Sequence, residues 1–168
     1  MRIIAMSDSH GCRNDLQDAI MQAQRAGKID GFVFLGDGTD DFELMRSILQ
    51  YENPQIRLFV VRGNNDFGAL SLPAIETFVM GGVGFFATHG HLYNVKYSMD
   101  KLLYAADQRT AKVVLYGHTH MPHCENMYGL QALNPGAICD RRAGRPAYGE
   151  ILVGEDKSIQ ARLVSWIG

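Results

Sequence analysis

Short apolar runs alternate with helical patterns along the first part of the chain. Residues 3–6 and 32–35 are uninterrupted apolar runs, and residues 56–61 form a third apolar stretch. Short apolar runs bounded by polar turns are typical of buried strands. Apolar residues recur at helical spacing over residues 14–26 and again over residues 41–49. The order strand, helix, strand, helix, strand predicts right-handed crossovers and a parallel sheet.

The pattern changes in the second half of the chain. Two apolar stretches flank Gly81-Gly82, which predicts a hairpin over residues 77–87. A helix is predicted over residues 96–108 and a buried strand over residues 113–116. Four further short strands indicate an antiparallel end to the fold, near residues 124–127, 130–133, 147–153 and 158–165. These elements predict an α/β fold in one domain over residues 1–168, a four-layer α-β-β-α sandwich of two mixed sheets with helices on the outer faces.

Five short polar runs follow predicted strands, and they contain residues that can bind metal ions. The runs are Asp8-Ser9-His10, Gly36-Asp37, Gly63-Asn64-Asn65-Asp66, His89-Gly90-His91 and Gly117-His118-Thr119-His120. Successive strand-end candidates are separated by 25 to 29 residues, close to the roughly 30 residues of a βαβ unit. We therefore expect their side chains to meet at the carboxyl end of one sheet.

The types of donor in these runs favour two metal ions. The seven candidates form a set of two carboxylates, one amide oxygen and four imidazoles without thiolate, which suits Mn, Fe or Zn: Asp8, Asp37, Asn64, His10, His89, His118 and His120. Seven ligands are too many for one ion, and two neighbouring ions need a bridging ligand, for which the two oxygens of Asp37 are suited. Two such ions activate a shared water and neutralise phosphoryl charge, so the pattern predicts hydrolysis of phosphate mono- or diesters.

Composition limits the partners and the compartment. A net charge of -2 gives no basic excess for sequence-independent binding of nucleic acid, so a nucleic-acid substrate is not expected. Cys12, Cys124 and Cys139 are widely spaced without a CxxC pair, so no disulfide is expected and a reducing cytosol fits best. No signal peptide and no apolar stretch long enough to span a bilayer is seen, and the predicted location is cytoplasmic, with no membrane partner.

Taken together, the polar runs resemble those of the calcineurin-like metallophosphoesterases. The family pattern of D-x-H, G-D, G-N, a GH or HGH run and G-H-x-H is present in order from residue 8 to residue 120. Asn134-Pro135-Gly136 also resembles a segment that follows the last metal motif in this family. Within the family, the chain is similar to the small single-domain phosphodiesterases of bacteria and archaea. The resemblance implies two divalent ions, Mn²⁺ first with Fe, Ni or Zn as other occupants, and attack on small phosphodiesters by a hydroxide that bridges them.

The resemblance also implies a role for each side chain of the site. Seven residues would hold the ions: Asp8, His10 and His120 the first, Asn64, His89 and His118 the second, and Asp37 both. The catalytic residues that it implies are Asp37, Asn64, His89 and His118.

One position departs from the family pattern. Many relatives carry a histidine directly after the metal-binding asparagine, where it is thought to protonate the leaving oxygen. Asn65 stands there in this chain and has no titrating proton near neutral pH. We therefore hypothesise a preference for esters whose leaving group needs little help, such as aryl esters. Asp66, the next residue, is expected to orient a neighbouring group.

Several alternatives stay open from the sequence. A phosphomonoesterase is the nearest alternative enzyme. A non-catalytic scaffold similar to a eukaryotic retromer subunit that has lost ligands is a second, although all seven positions here hold competent donors. The basic cluster of Arg141, Arg142 and Arg145 either binds phosphate or is a solvated loop. The oligomeric state is also open, including a homo-oligomer.

Overall fold

Ten strands and three helices are described by a computed structural model, over residues 1–140 and 146–166. The strands are β1 (Arg2–Met6), β2 (Gly31–Phe34), β3 (Arg57–Val60), β4 (Ile75–Met80), β5 (Val83–Thr88), β6 (Val113–Leu115), β7 (His123–Met127), β8 (Leu130–Asn134), β9 (Ala147–Val153) and β10 (Ile159–Ser165). The helices are α1 (Arg13–Arg25), α2 (Thr39–Glu52) and α3 (Asp100–Asp107). The predicted basic cluster of Arg141, Arg142 and Arg145 lies outside the described residues.

The strands form two mixed sheets of five strands each. The first has the order β10-β9-β1-β2-β3, and the second has the order β4-β5-β6-β8-β7. Parallel pairing joins β1 to β2, β2 to β3, β5 to β6 and β6 to β8. The expected antiparallel end is confirmed, because β7 pairs with β8 and β9 pairs with β1 and β10 in antiparallel, but β8 also pairs with β6 in parallel. The apolar pattern of a short strand does not specify its direction, so the sequence could not decide this point.

Three layers of apolar packing hold the sheets and helices together. Successive side chains of a strand point to opposite faces. Ile3 and Ala5 therefore pack between the two sheets, while Ile4 and Met6 pack with the buried residues of α1 and α2. Leu102 and the other buried residues of α3 cover the outer face of the second sheet. The predicted four-layer sandwich is confirmed.

Two helices differ in length from the sequence prediction. Helix α2 begins at Thr39, two residues before the predicted start, because the Gly38 carbonyl and a carboxylate described below accept its first N–H groups. Helix α3 begins only at Asp100, whose backbone N–H donates to Ser98 Oγ at 3.1 Å. Residues 94–97 form a turn instead, which follows a short 3-10 helix at His91–Tyr93. No helix within residues 1–140 and 146–166 is long and apolar enough to cross a membrane.

Two of the three cysteines form a disulfide, which corrects the expectation of none. Cys12 at the start of α1 is bonded to Cys139, and their Cα atoms lie 6.2 Å apart. The two residues are 127 positions apart in sequence. They meet because the loop after β1 and the loop after β8 lie side by side, which no local sequence pattern encodes. Cys124 has a free thiol, and burial raises its pKa.

One buried carboxylate connects three strands of the first sheet. Glu150 on β9 is 3% exposed and accepts a hydrogen bond from Arg2 Nε on β1 at 2.7 Å. It also pairs with Arg162, which lies directly opposite it on β10. Burial by itself raises the pKa of Glu150, but the two guanidinium groups outweigh it and hold the pKa below its ordinary value.

We expect Glu150→Gln to lower the free energy of unfolding by about 2 kcal/mol near neutral pH, mostly through the loss of the charged bond to Arg2. A lowered folded pKa means that this stabilisation is complete above the unfolded value of 4.5 and is lost as the pH falls through the folded pKa. Urea unfolding at about pH 7 and about pH 3 measures the difference. Glu155→Gln, in the exposed turn after β9, is the matched control. A loss that is the same at both pH values would contradict the assignment.

Candidate metal centre

The predicted ligands lie at the carboxyl ends of strands from both sheets. Asp8, Asp37 and Asn64 follow β1, β2 and β3 of the first sheet, whereas His89 and His118 follow β5 and β6 of the second. The expectation that they share the edge of one sheet is therefore wrong. A spacing close to one βαβ unit recurs in both sheets, so spacing alone could not assign a strand to a sheet.

A first group of donors consists of Asp8, His10 and His120, whose ligand atoms all lie within 4.8 Å of one another. Asp8 Oδ1 is 3.3 Å from His120 Nε2 and 3.7 Å from His10 Nε2. The two imidazole Nε2 atoms are 3.1 Å apart. Three donors therefore converge on one point, and they are the residues that the resemblance implies for the first ion.

A second group consists of Asp8, Asp37 and His89. His89 Nε2 lies 3.4 Å from Asp37 Oδ2 and 3.9 Å from Asp8 Oδ1. The His118 ring packs edge-on against the His89 ring, with centroids 5.0 Å apart. Asp37 Oδ2 is also 3.8 Å from His10 Nε2. Both carboxylates thus lie between the two groups of histidines, and Asp8 as well as the predicted Asp37 has histidines of both groups near it.

Two buried atoms of the centre lack hydrogen-bond partners. Asp8 Oδ1 and His89 Nε2 are buried and make no hydrogen bond to any residue that the structure describes. Buried polar atoms are almost always paired, and an unpaired one costs roughly 1–3 kcal/mol. Both atoms belong to the second group and face the space that its donors share. The donor set therefore fits a divalent ion, which would complete the coordination of both atoms.

Hydrogen bonds on the far side of two imidazoles fix which nitrogen faces the centre. His89 Nδ1 lies 2.7 Å from the Leu35 carbonyl oxygen, and His120 Nδ1 lies 3.0 Å from Asp140 Oδ2. A neutral imidazole that donates its Nδ1–H to an oxygen presents the Nε2 lone pair on the other side. Both residues therefore point Nε2 at the candidate ions. Asp140 belongs to no sequence motif, and sequence reasoning missed it.

Near pH 7, His118 and Asp37 have the protonation state that a metal ligand needs, whereas His120 does not. Burial and the neighbouring His89 lower the pKa of His118 to about 4, so this imidazole is neutral near pH 7. Burial by itself raises the pKa of Asp37, but His89 and Asn65 outweigh it and hold the pKa below its ordinary value. The carboxylate of Asp8 raises the pKa of His120 to about 9. Metal binding to His120 would therefore release a proton.

Five of the seven predicted ligands have a left-handed backbone conformation, which non-glycine residues seldom adopt. They are Asp8 (φ 56°), His10 (φ 45°), Asp37 (φ 55°), His118 (φ 68°) and His120 (φ 60°). Such residues cost of the order of 1 kcal/mol or more each and concentrate at functional sites. Both members of each D-x-H and H-x-H pair share this conformation.

Asp66 holds the loop that carries Asp37. Its carboxylate accepts the backbone N–H groups of Asp37, Gly38, Thr39 and Gly63 at 2.7–3.0 Å. Burial by itself raises the pKa of Asp66, but these four donors hold it below the ordinary value. The expectation that Asp66 orients its neighbours is confirmed, since it ties the ends of β2 and β3 to the start of α2.

Asp41 on α2 has the same role for the loop that carries His10. It is 3% exposed and accepts Ser9 Oγ and the Gly11 N–H, both at 2.7 Å. The Arg13 Nε atom lies 3.0 Å from its other oxygen. Within an ordinary amphipathic helix an aspartate gives no signal of this role, so sequence reasoning missed it.

Asn134 holds the loop that carries His118 and His120. Its side-chain amide donates to the Gly117 carbonyl at 3.0 Å and to Thr119 Oγ1 at 2.9 Å. Its side-chain oxygen accepts the Gly136 N–H at 2.8 Å. The Asn134-Pro135-Gly136 segment therefore supports the last motif without reaching the donors themselves.

The two asparagines after β3 are placed differently. Asn65 donates to both oxygens of Asp37, through its backbone N–H at 2.8 Å and its side chain at 2.6 Å. The Asn64 side chain is exposed and makes no hydrogen bond to any described residue. The structure therefore brings Asn65 against the proposed bridging carboxylate, while the assignment of Asn64 as a ligand stays a prediction.

Comparison with known proteins identifies the family. The model of the calcineurin-like phosphoesterase superfamily domain matches residues 1–156. The chain belongs to this family. A probable metallophosphoesterase of Bacillus subtilis is 29% identical over 170 residues, covering 100% of this chain and 93% of the relative. A phosphodiesterase of Methanocaldococcus jannaschii is 28% identical over 162 residues, covering 89% and 91%. The resemblance drawn from the polar runs is confirmed.

A solved structure also shares the fold of this phosphoesterase family member. Vps29 of Entamoeba histolytica, complexed with Zn²⁺, superposes with a TM-score of 0.71 at 18% identity, and the match covers 98% of this chain and 99% of Vps29. Identity at this level shows the fold alone.

Close packing of loops at Gly63 gives a test of the centre's geometry. A Cβ atom at this position would collide with the Asp37 carboxylate and backbone. Gly63→Ala is expected to displace Asp37. It should lower kcat/KM for phosphoester hydrolysis about 100-fold, since misplacement of a catalytic group by about 1 Å has that effect. Gly68→Ala, whose added Cβ meets nothing within 4 Å, is the control in the same loop. Equal kcat/KM in the two variants, with folding checked by circular dichroism, would contradict the assignment.

The bond between Asp140 and His120 gives a second test. Asp140→Asn is expected to weaken Mn²⁺ binding about 10- to 100-fold, because loss of a carboxylate behind a ligating histidine has an effect of this size. Calorimetric titration of the apoprotein with Mn²⁺ measures the affinity. Asp18→Asn, on the exposed face of α1, is the control. Unchanged affinity in Asp140→Asn would show that His120 needs no such support.

Proposed function

We propose that the chain is a dinuclear metal-dependent phosphodiesterase that acts on small phosphodiesters, and that residues 1–168 form one catalytic domain. Membership of the calcineurin-like phosphoesterase family supports phosphoric ester hydrolysis by a metal-binding protein. The observation that carries the dinuclear proposal is the pair of donor groups that share Asp8, with two buried atoms that lack partners.

The proposed ligands are the seven residues of the sequence prediction. Asp8, His10 and His120 would hold one ion, Asn64, His89 and His118 the other, and Asp37 both. Mn²⁺ is the proposed metal, with Fe, Ni or Zn as other occupants. Bound there, two divalent ions supply a water of lowered pKa and neutralise charge on the phosphoryl oxygens.

Neighbouring residues of the chain would hold the proposed ligands in position. Asn65 holds both oxygens of Asp37, and Asp66 fixes the backbone on either side of it. His89 and His120 are held with Nε2 inward. Preorganised donors of this kind do not have to reorganise during the reaction. Because Asn65 offers no titrating proton, aryl diesters with good leaving groups are the proposed substrates.

Two other functions are weighed against this one. The likeness to Vps29 supports a scaffold of the same fold, but likeness at 18% identity concerns the fold only. All seven proposed positions carry side chains that can bind a metal ion, which favours catalysis over the scaffold. A phosphomonoesterase would use the same ions and differ only in its substrate. Cytoplasmic location stays a prediction, and the Cys12–Cys139 disulfide does not favour it because reducing compartments keep thiols reduced.

The expected activity is Mn²⁺-stimulated hydrolysis of bis(p-nitrophenyl) phosphate that EDTA abolishes. Asp37→Asn is expected to lower kcat/KM at least about 100-fold, because it removes charge at the centre of the site. Asp18→Asn serves as the control for a surface carboxylate. Release of p-nitrophenolate, compared between the diester and p-nitrophenyl phosphate, separates diesterase from monoesterase. A folded, metal-loaded protein that hydrolyses neither compound would contradict the proposal.

A further inference from the structure

A cavity of about 440 Å³ opens beside the candidate metal centre. His10 and Asp37 form part of its wall, together with the start of α2 and residues 65–69. The centre and the cavity therefore share two proposed ligands. A phosphoester whose phosphoryl group reaches Asp37 would place one of its organic substituents in this space. The inference that follows rests on the proposed function and concerns that substituent.

Phe67 presents an open aromatic face on the wall of the cavity. It is 79% exposed, although burial of such a ring stabilises a fold by roughly 2 kcal/mol. Its ring stacks on no other ring among the described residues, unlike Phe78, which stacks on both Phe59 and Phe85. The ring is therefore left free by the fold at a position where a ligand can cover it.

The segment that carries Phe67 is held in place on both sides. Asp66, directly before it, accepts four backbone N–H groups. Its carbonyl in turn accepts the Ala69 N–H at 3.1 Å. Further along, Arg62 Nη1 donates to the Leu72 carbonyl at 2.8 Å. A ring on such a segment loses little freedom when a ligand stacks on it, which favours binding.

The charges around the cavity restrict what else the substituent can carry. Asp41 and Asp66 are occupied by internal donors, and Arg13 is paired with Asp41 at 3.0 Å. Asp40 lines the same cavity and is exposed, and its carboxylate makes no hydrogen bond or ion pair with any described residue. The described residues of the wall thus offer one unpaired carboxylate and no unpaired cation. A second anionic group would be repelled there.

We propose that Phe67 determines substrate specificity by stacking on a planar aromatic substituent of the phosphodiester, an aryl or nucleobase group without further negative charge. Stacking does not distinguish between an aryl group and a nucleobase, because every aromatic group has a π face. The cavity would therefore accept aromatic diesters and would not favour alkyl or polyanionic diesters.

The test measures the affinity of the Mn²⁺-loaded protein for diphenyl phosphate and for diethyl phosphate by calorimetry. It also measures how strongly each compound inhibits hydrolysis of bis(p-nitrophenyl) phosphate. Phe67→Ala is expected to weaken diphenyl phosphate about tenfold, with diethyl phosphate unchanged. Phe67→Leu should match Phe67→Ala, whereas Phe67→Tyr should retain the affinity because it keeps the ring. Leu70→Ala is the control, since Leu70 is 75% exposed in the same loop but does not line the cavity.

The effect of charge is tested with bis(4-carboxyphenyl) phosphate, which should bind more weakly than diphenyl phosphate. Asp40→Asn should reduce this difference in affinity. The inference is overturned if Phe67→Ala leaves the preference for diphenyl over diethyl phosphate intact, or if Leu70→Ala removes it equally. Calorimetry keeps this result separate from the proposed function. Binding of diphenyl phosphate that depends on Phe67, in a protein that hydrolyses no phosphoester, would support the inference and refute the proposed activity.

Discussion

The centre depends on the burial of two ionised carboxylates, Asp8 and Asp37, which are 0% and 2% exposed. Removing a carboxylate from water costs several kcal/mol even after the protein relaxes, so each needs donors close by. Ser7 Oγ and the His118 N–H bind Asp8 Oδ2 at 2.5 and 3.1 Å, and Asn65 binds Asp37. Asp8 Oδ1 has no such donor within residues 1–140 and 146–166. The fold thus compensates these charges only in part, and divalent cations are suited to supply the remainder.

These charges also join the two sheets. The His118 N–H belongs to the loop after β6 in the second sheet, yet it binds Asp8 after β1 in the first. In the other direction, His89 after β5 contacts the Leu35 carbonyl after β2. The loops approach so closely that a Cβ atom on Gly117 would collide with Ser7 and Asp8. The centre therefore lies at the junction of the two sheets, and displacement of either sheet would separate its donors.

Sequence reasoning captured the layers of the fold and the polar runs because both are local patterns. Ile3 to Met6 is continuously apolar since the strand is covered on both faces. What the sequence did not reveal depends on contacts between distant segments. Asp140 supports His120, Asp41 supports Ser9, and Cys12 meets Cys139, yet none of these pairs has a characteristic spacing. The division of donors between two sheets was missed for the same reason, since crossover length is alike in both.

The left-handed backbone at the donors explains why the supporting contacts are so numerous. In each of the pairs Asp8/His10 and His118/His120, both residues have positive φ, a conformation that β-branched residues tolerate poorly and Asp or His somewhat better. A loop in this conformation relaxes unless its surroundings over-determine it. Asp41 and Asn134 provide that constraint, each through several hydrogen bonds to a donor-bearing loop. Residues that never touch a metal ion would therefore set its affinity, because they decide whether the strained loops keep their donors together.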